Sequence, residues 1–214
     1  MKMKVLGILV AMAGMASMAS ATVVSCLDAS VINQNVATTT QLSGNDGCSL
    51  GGLTFSNFAV NSTPSGGTVF LSAIGTGISN GLVDLGFQLV IPTPPSDTIL
   101  TYKVTGGLLG VDIAQNGVNT VIQEVVCDQA FVSGTCADGH VLVNYSNPPI
   151  GNNVEELFSH AVGTAYILKD IGVKAGGSIS NFTNSQVVPE PMTLSLMGVG
   201  LLGLGLLRKK VGRS

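Results

Sequence analysis

Eight short runs rich in β-branched and aromatic residues recur along the middle of the chain, and they constrain the fold more than any other feature. In DTILTYKV, Leu100, Tyr102 and Val104 alternate with polar residues, which is the pattern of a half-buried antiparallel strand. The absence of a long helical period leads us to expect an all-β fold, a single antiparallel β-sandwich or jelly-roll-like domain. The runs are LTFSNFAV, TVFLSAI, VDLGFQLVI, DTILTYKV, VNTVIQEVVC, HVLVNY, AYILKDIGV and GSISNF.

Clusters of glycine, proline, asparagine and serine lie between these runs and predict turns. They are PSGG, IPTPPSD, TGGLLG, QNG, SNPPIGNN and KAGG. The segment NNVEELFSHAVG is the one helical candidate. There Asn153 could cap a short helix, and Glu155 and Glu156 would complement its dipole.

The first 21 residues have the three parts of an export signal. Two lysines precede an apolar stretch, and the small residues Ala19 and Ala21 form a cleavage site that leaves Thr22 as the first mature residue. This predicts export machinery and signal peptidase as partners. The alternative is lipidation of Cys26, since VVSC loosely fits the site at which bacterial lipoproteins are cut.

Four cysteines in an exported chain predict disulfides. Closeness in sequence favours Cys26–Cys48 and Cys127–Cys136 over the other two connectivities, and each loop closure is expected to contribute about 3 kcal/mol. The spacing of these cysteines does not fit a zinc ribbon, so we expect no metal at them.

The chain ends in a Pro-Glu-Pro sequence, an uncharged stretch at 192–207 and a basic cluster. As a helix the stretch spans about 24 Å, less than the roughly 30 Å of a bilayer core. The basic residues favour the cytoplasmic side, which places the body outside the inner membrane. The basic cluster consists of Arg208, Lys209, Lys210 and Arg213.

These three features in this order resemble the PEP-CTERM sorting signal of Gram-negative, often biofilm-forming bacteria. The sorting motif itself is Val188, Pro189, Glu190 and Pro191. The family usually has Ser or Thr after the second proline, whereas this chain has Met192 and then Thr193. The resemblance implies a transient inner-membrane anchor that an exosortase-type protease removes, followed by delivery to the cell surface or extracellular matrix.

Three further segments, GCSLGGLTFSNFAV, EVVC…GTC and ILKDIGV, are similar to segments of PEP-CTERM proteins. They imply a cysteine-stapled β-sandwich of unassigned biochemical function. The expected organisation is therefore a signal peptide at 1–21, a β-sandwich body at 22–188 and a sorting signal at 189–214, whose transmembrane span is 192–207.

The charge of the body excludes nucleic acid as a partner. Residues 22–188 contain eleven of the twelve acidic residues, three lysines and no arginine. Such a surface cannot neutralise a phosphate backbone.

Residues that carry chemistry are scarce, and we expect no catalytic residue, no metal and no cofactor. His140 opens a strand after a turn, and His160 is the only other histidine. Glu155 and Glu156 are adjacent, so they point in different directions on a helix or a strand. The remaining acids suggest solvated residues beside turns, or less simply a calcium site. Those considered are Asp84, Asp112, Asp128 and Asp138.

The sequence therefore predicts an exported, non-enzymatic surface or extracellular-matrix (biofilm) protein, with an exopolysaccharide matrix as a further partner. The alternative is a carbohydrate- or calcium-binding β-sandwich, although the chain has no tryptophan on which a sugar would stack. A secreted hydrolase is less favoured, because it requires two carboxylates that converge in a cleft.

Overall fold

A computed structural model describes residues 23–79, 81–147 and 154–189 of the chain. Within these residues the chain forms ten strands and one four-residue helix. In chain order they are β1 (Val24–Ser25), α1 (Thr40–Ser43), β2 (Cys48–Leu50), β3 (Leu53–Thr63), β4 (Thr68–Ser79), β5 (Leu82–Val90), β6 (Ser96–Gln115), β7 (Val118–Cys127), β8 (Val141–Asn147), β9 (Val154–Ser178) and β10 (Asn181–Val187).

The strands belong to one sheet that folds into two layers, because β6 and β9 run through both. The first half of β6, at 96–105, lies between β3 and β9, whereas its end, at 110–115, pairs with β10. The first layer contains β3, the first half of β6, the second half of β9, β7 and β8. The second layer contains the start of β9, the end of β6, β10, β5 and β4. Strands that switch layers at bends are a known way to close a sandwich.

Aromatic side chains join the layers in the interior. Phe58 of β3 stacks on Tyr102 of β6 with ring centroids 5.1 Å apart. Phe87 of β5, in the opposite layer, lies 5.8 Å from the Tyr102 ring and 6.2 Å from the Phe58 ring. These contacts bury large apolar surfaces between the layers, and the predicted all-β sandwich class is confirmed.

Both predicted disulfides are present. Cys26, just after β1, is bonded to Cys48 at the start of β2, and Cys127 at the end of β7 is bonded to Cys136. The first bond accompanies the two-residue parallel pairing of β1 with β2, while the other strand pairings in the described residues are antiparallel.

The predicted helix around NNVEELFSHAVG is wrong in the part that the structure describes, because residues 154–162 lie in β9. Residues 154–157 pair with the end of β6, and Phe158 is buried. Tertiary pairing therefore overrides the local helical signal.

Two of the predicted breaks are also wrong. TGGLLG lies inside β6 and KAGG inside β9, so the chain bends at these glycines without leaving the sheet. GSISNF is not one strand, since β9 ends at Ser178 and β10 begins at Asn181. Register shifts at Thr105 to Leu108 show that the glycines of β6 are accommodated as a bulge.

Several predicted features lie outside the described residues. They are the signal peptide with its cleavage residues, Asn153, Glu190, Pro191, the span 192–207 and the basic cluster. Among the residues that are described, no helix has the length and apolar character needed to cross a membrane.

Candidate functional site

A cluster of polar side chains lies between the two layers, where an apolar core is expected. We call it the interior polar cluster, and each member is at most 2% exposed. Burial of so many polar groups is costly unless they satisfy one another, so their contacts determine what the cluster does. Its members are Tyr102, Glu124, Lys169, Asn184 and Gln186.

The register of the strands brings these groups together. Glu124 of β7 and Lys169 of β9 are directly opposite each other in the first layer. Asn184 and Gln186 are two residues apart on β10, so both face inward from the second layer. Tyr102 reaches across from β6 of the first layer.

One carboxylate oxygen contacts two nitrogens. Glu124 Oε1 lies 2.5 Å from Lys169 Nζ and accepts a hydrogen bond of 3.2 Å from Asn184 Nδ2. Asn184 Nδ2 also donates to the backbone carbonyl of Asp112 at 2.9 Å. The other oxygen, Glu124 Oε2, accepts a hydrogen bond of 2.7 Å from the hydroxyl of Tyr145 on β8.

The carbonyl oxygen of the Asn184 side chain accepts two hydrogen bonds. Tyr102 donates its hydroxyl to Asn184 Oδ1, and Gln186 Nε2 donates to the same atom at 2.8 Å. Two donors on one amide oxygen polarise the carbonyl, because both favour negative charge on it.

Burial shifts the ionisation of the cluster. Desolvation lowers the pKa of Lys169 to about 8, although the attraction of Glu124 opposes this shift. Desolvation also raises the pKa values of Tyr102 and Tyr145, and the nearby charge of Glu124 adds to both shifts. Both tyrosines therefore remain protonated donors at neutral pH.

A cleft of about 320 Å³ lies on the outer face of the second layer, and we call it the Asp112 cleft. Asp112 of β6 is 4% exposed, and its Oδ1 has no hydrogen-bond partner among the residues described. Desolvation and then the charge of Glu155, opposite it on β9, raise the pKa of Asp112. The cleft is lined by Gly75, Ser79, Leu82, Asp84, Asp112, Ala114, Thr183 and Ser185.

The sequence placed Asp84 and Asp112 beside turns; Asp84 is the third residue of β5, close to the β4–β5 turn, whereas Asp112 lies inside β6. Ser185 of β10 pairs with Asp84 on one side and with Asp112 on the other, so all three share one face. Asp84 Oδ2 accepts a hydrogen bond of 2.8 Å from Ser79. Sheet pairing thus brings together two acids that are distant in sequence.

A second groove of about 320 Å³ lies on the outer face of the first layer. Its mainly apolar lining lies beside the loop closed by the Cys127–Cys136 disulfide. The lining residues are Gln123, Val125, Gly134, Thr135, Cys136, Val141, Asn144 and Leu168.

The histidines do not belong to either cleft. His140 Nδ1 lies 2.7 Å from Asp128 Oδ1, a contact between the residue after Cys127 and the chain that follows the disulfide loop. His160 Nδ1 contacts the hydroxyl of its neighbour Ser159 at 3.0 Å. In the parts of the chain covered by the structure, no group of three or more His, Cys, Asp or Glu side chains is placed to hold a metal ion.

The start of the predicted sorting motif packs on the body. Val188 lies partly buried against the core, directly after β10. The ring of Pro189 covers Gly107 at the bend of β6, where an added Cβ would be 3.4 Å from Pro189 Cγ. The folded body therefore extends as far as the first proline of the motif.

The comparison with solved structures finds TmCBM61 in complex with β-1,4-galactotriose. The two chains are 12% identical, the TM-score is 0.32, and the match covers 72% of this chain and 95% of the other. A likeness at this level assigns neither a fold nor a ligand. No curated protein matches the sequence.

The C-terminal region matches the family description "PEP-CTERM protein-sorting motif" over residues 187–210. The match begins at the last residue of β10 and includes the four predicted motif residues, Val188 to Pro191. It indicates export, processing by exosortase-type machinery and a cell-envelope or extracellular destination, and it assigns no activity to the sandwich. The chain thus carries a PEP-CTERM protein-sorting motif at its C-terminal end.

Proposed function

We propose that this protein is a non-enzymatic component of the cell surface or extracellular matrix, including a biofilm matrix. A disulfide-stapled sandwich would be released from a transient inner-membrane anchor by an exosortase-type protease. The observation that carries the proposal is the sorting motif at 187–210, which directly follows the last strand of the body.

The placement of two groups within the described residues favours a non-enzymatic role. The interior polar cluster is closed to solvent, and His140 is engaged by Asp128. General acid–base catalysis on a diffusing substrate needs a group within hydrogen-bond reach of that substrate. Adhesion or matrix structure needs only the folded surface and its delivery outside the cell.

The test is the intact mass of the protein from its own organism, measured in inner-membrane, cell-surface and medium fractions. We expect a chain that begins at Thr22, ends near Pro189 and is recovered outside the inner membrane. Mass added in sugar-sized steps would indicate glycan attachment. A chain that keeps Arg213 and remains in the inner membrane would contradict the proposal.

A matched pair of substitutions separates sorting from folding. Glu190→Ala changes the centre of the sorting motif and is expected to leave the full-length chain in the inner membrane. Glu155→Ala removes an exposed glutamate of β9 and is expected to leave processing unchanged. Processing of Glu190→Ala to the same extent as Glu155→Ala would show that the protease does not require Glu190.

The Asp112 cleft favours a second candidate, a calcium- or carbohydrate-binding role for the body. Asp112 lines the cleft, and its buried Oδ1 has no hydrogen-bond partner in the described part of the chain. Calcium binds carboxylate, hydroxyl and water oxygens. Extracellular calcium modules bind with dissociation constants of about 10⁻⁴–10⁻³ M. We expect millimolar calcium to raise the melting temperature of the wild type.

Asp112→Asn should abolish that increase, whereas Asp138→Asn, at an exposed loop residue, should retain it. The same increase in both variants would place calcium elsewhere. Because protonation of Asp112 competes with the cation, the calcium effect should also weaken as the pH falls.

A glycoside hydrolase remains the least favoured candidate. Asp84 and Asp112 line one cleft, which meets the minimum requirement for two carboxylates. Yet among the described lining residues there is no aromatic side chain on which a sugar ring would stack. Hydrolysis of glycosides that is lost in Asp112→Asn would favour this candidate over the structural role.

A further inference from the structure

A primary amine, a carboxamide and a carboxylate meet inside the interior polar cluster, closed to solvent. We propose that Lys169 and Asn184 become joined by an intramolecular isopeptide bond, which the protein forms by itself with Glu124 as the group that transfers the proton. This inference is independent of sorting and of any ligand in the Asp112 cleft.

Lys169 supplies the nucleophile. Its side chain is fully buried, and Nζ lies 2.5 Å from Glu124 Oε1, the contact that holds the amine inside the cluster. Only a neutral amine has a lone pair with which to attack a carbonyl carbon. Desolvation lowers the pKa of Lys169 to about 8, which increases the neutral fraction at physiological pH.

Asn184 supplies the electrophile. An amide carbon reacts slowly with amines unless the negative charge that develops on its oxygen is stabilised. Tyr102 and Gln186 both donate hydrogen bonds to Asn184 Oδ1, so two donors are already in place where that charge develops. The pair has the arrangement of an oxyanion hole.

Glu124 lies between the two nitrogens that exchange a proton. Its Oε1 contacts Lys169 Nζ and also accepts from Asn184 Nδ2 at 3.2 Å. One carboxylate can therefore take a proton from the attacking nitrogen and deliver it to the departing one. Tyr145 holds the other oxygen of Glu124 at 2.7 Å, and acts as a positioning residue.

The reaction balances without a co-reactant. A bond forms between Lys169 Nζ and Asn184 Cγ, the bond between Asn184 Cγ and Nδ2 breaks, and one molecule of ammonia leaves. The two nitrogens enter as an amine and a primary amide and emerge as a secondary amide and ammonia, with no change of oxidation state. Burial of the cluster also keeps water from competing as the nucleophile.

The product would tie the two layers together. Lys169 belongs to β9 in the first layer, and Asn184 belongs to β10 in the second. A covalent cross-link between layers limits the freedom of the unfolded chain, as a disulfide does, but reducing agents do not break it. For a protein exposed outside the cell this is a durable form of stabilisation.

The test is peptide mapping of the folded full chain by mass spectrometry after reduction of the disulfides. We expect a branched tryptic product that contains Lys169 and Asn184, with a mass lower by one ammonia than the sum of its peptides. Trypsin should fail to cleave after Lys169 because an acylated lysine is not a substrate. Complete cleavage there, with Asn184 in an unmodified linear peptide, would overturn the proposal.

Two variants separate the chemistry from the packing. Glu124→Gln keeps the shape of the side chain but removes the proton carrier, so the linked product should be lost. Tyr145→Phe removes only the hydrogen bond that orients Glu124, so the bond should form more slowly but reach completion. If the linked product forms in Glu124→Gln, Glu124 is not required for the reaction. If that variant does not fold, peptide mapping of the wild type still shows whether Lys169 and Asn184 are joined.

Discussion

Asp97 and Asp170 form a pair of carboxyl groups on the first layer. Asp170 of β9 pairs with Ile99 of β6, which places it near Asp97 two residues earlier. Desolvation is the largest cause that raises the pKa of Asp170 to about 6, followed by a hydrogen bond with Asp97 and repulsion between the two charges. Between about pH 4 and 6, Asp170 is therefore protonated in the folded protein and ionised in the unfolded chain.

This pair predicts a pH dependence of stability. The pKa of Asp170 is about 6 when folded and about 3.9 when unfolded. Its stabilising contribution is present in full below about pH 4 and is lost as the pH rises through 6. Asp170→Asn should therefore raise the melting temperature at pH 7 relative to the wild type and flatten its decline between pH 4 and 7.

Thermal denaturation across this pH range measures the effect. Asp138→Asn is the matched control, because Asp138 is an exposed loop residue, and it should leave the wild-type profile unchanged. A decline of the same steepness in Asp170→Asn would mean that other groups set the pH dependence.

Local sequence indicates which side of a strand a residue faces, but not what it meets there. In ILKDIGV, Ile167, Lys169 and Ile171 share one face, and both isoleucines are fully buried. Alternation alone therefore places Lys169 inside and Asp170 outside. The contacts of Lys169 with Glu124, and through Glu124 with Asn184, depend on how distant strands align. That register cannot be read from the local sequence pattern.

At the level of elements, the bend of β6 shows why a glycine cluster does not reliably indicate the end of a strand. Gly106 has a φ of 135°, and a Cβ there would lie 2.4 Å from Leu53 Cδ2. Only glycine fits this position, where β6 passes from one layer to the other. In the sequence such a glycine resembles the end of a strand, although here it keeps the strand continuous.

The bend predicts a specific sensitivity to substitution. Gly106→Ala should reduce the free energy of unfolding by about 1–3 kcal/mol, because it combines backbone strain with a steric clash. Gly163→Ala, at the facing bend of β9, should change it by less than about 0.5 kcal/mol. No described heavy atom lies within 4 Å of a Cβ added at Gly163.

Urea denaturation measures both changes in the free energy of unfolding. Equal losses in the two variants would show that the bend tolerates a side chain at Gly106, and that its shape does not depend on glycine.

At the scale of the whole molecule, the sequence predicts the fold class, the disulfides and the sorting motif, but not which strands pass through both layers. Alternating runs and even cysteines are local signals, and each leads to a feature that the structure contains. The passage of β6 and β9 through both layers depends on pairing between residues such as Ser96 and Val173, far apart in the chain. Non-local pairing of this kind is set by the packing of the whole body.

β10 lies between β5 and β6, hydrogen-bonded on both sides, and the sorting motif begins at its last residue. A chain that crosses a membrane N-terminus first delivers this strand after all the others. Until β10 arrives, the edges of β5 and of the end of β6 that it will pair with have no partner strand. The strand that completes the second layer therefore arrives immediately before the sorting motif, so an export intermediate that stops before β10 is incompletely folded and also lacks the motif.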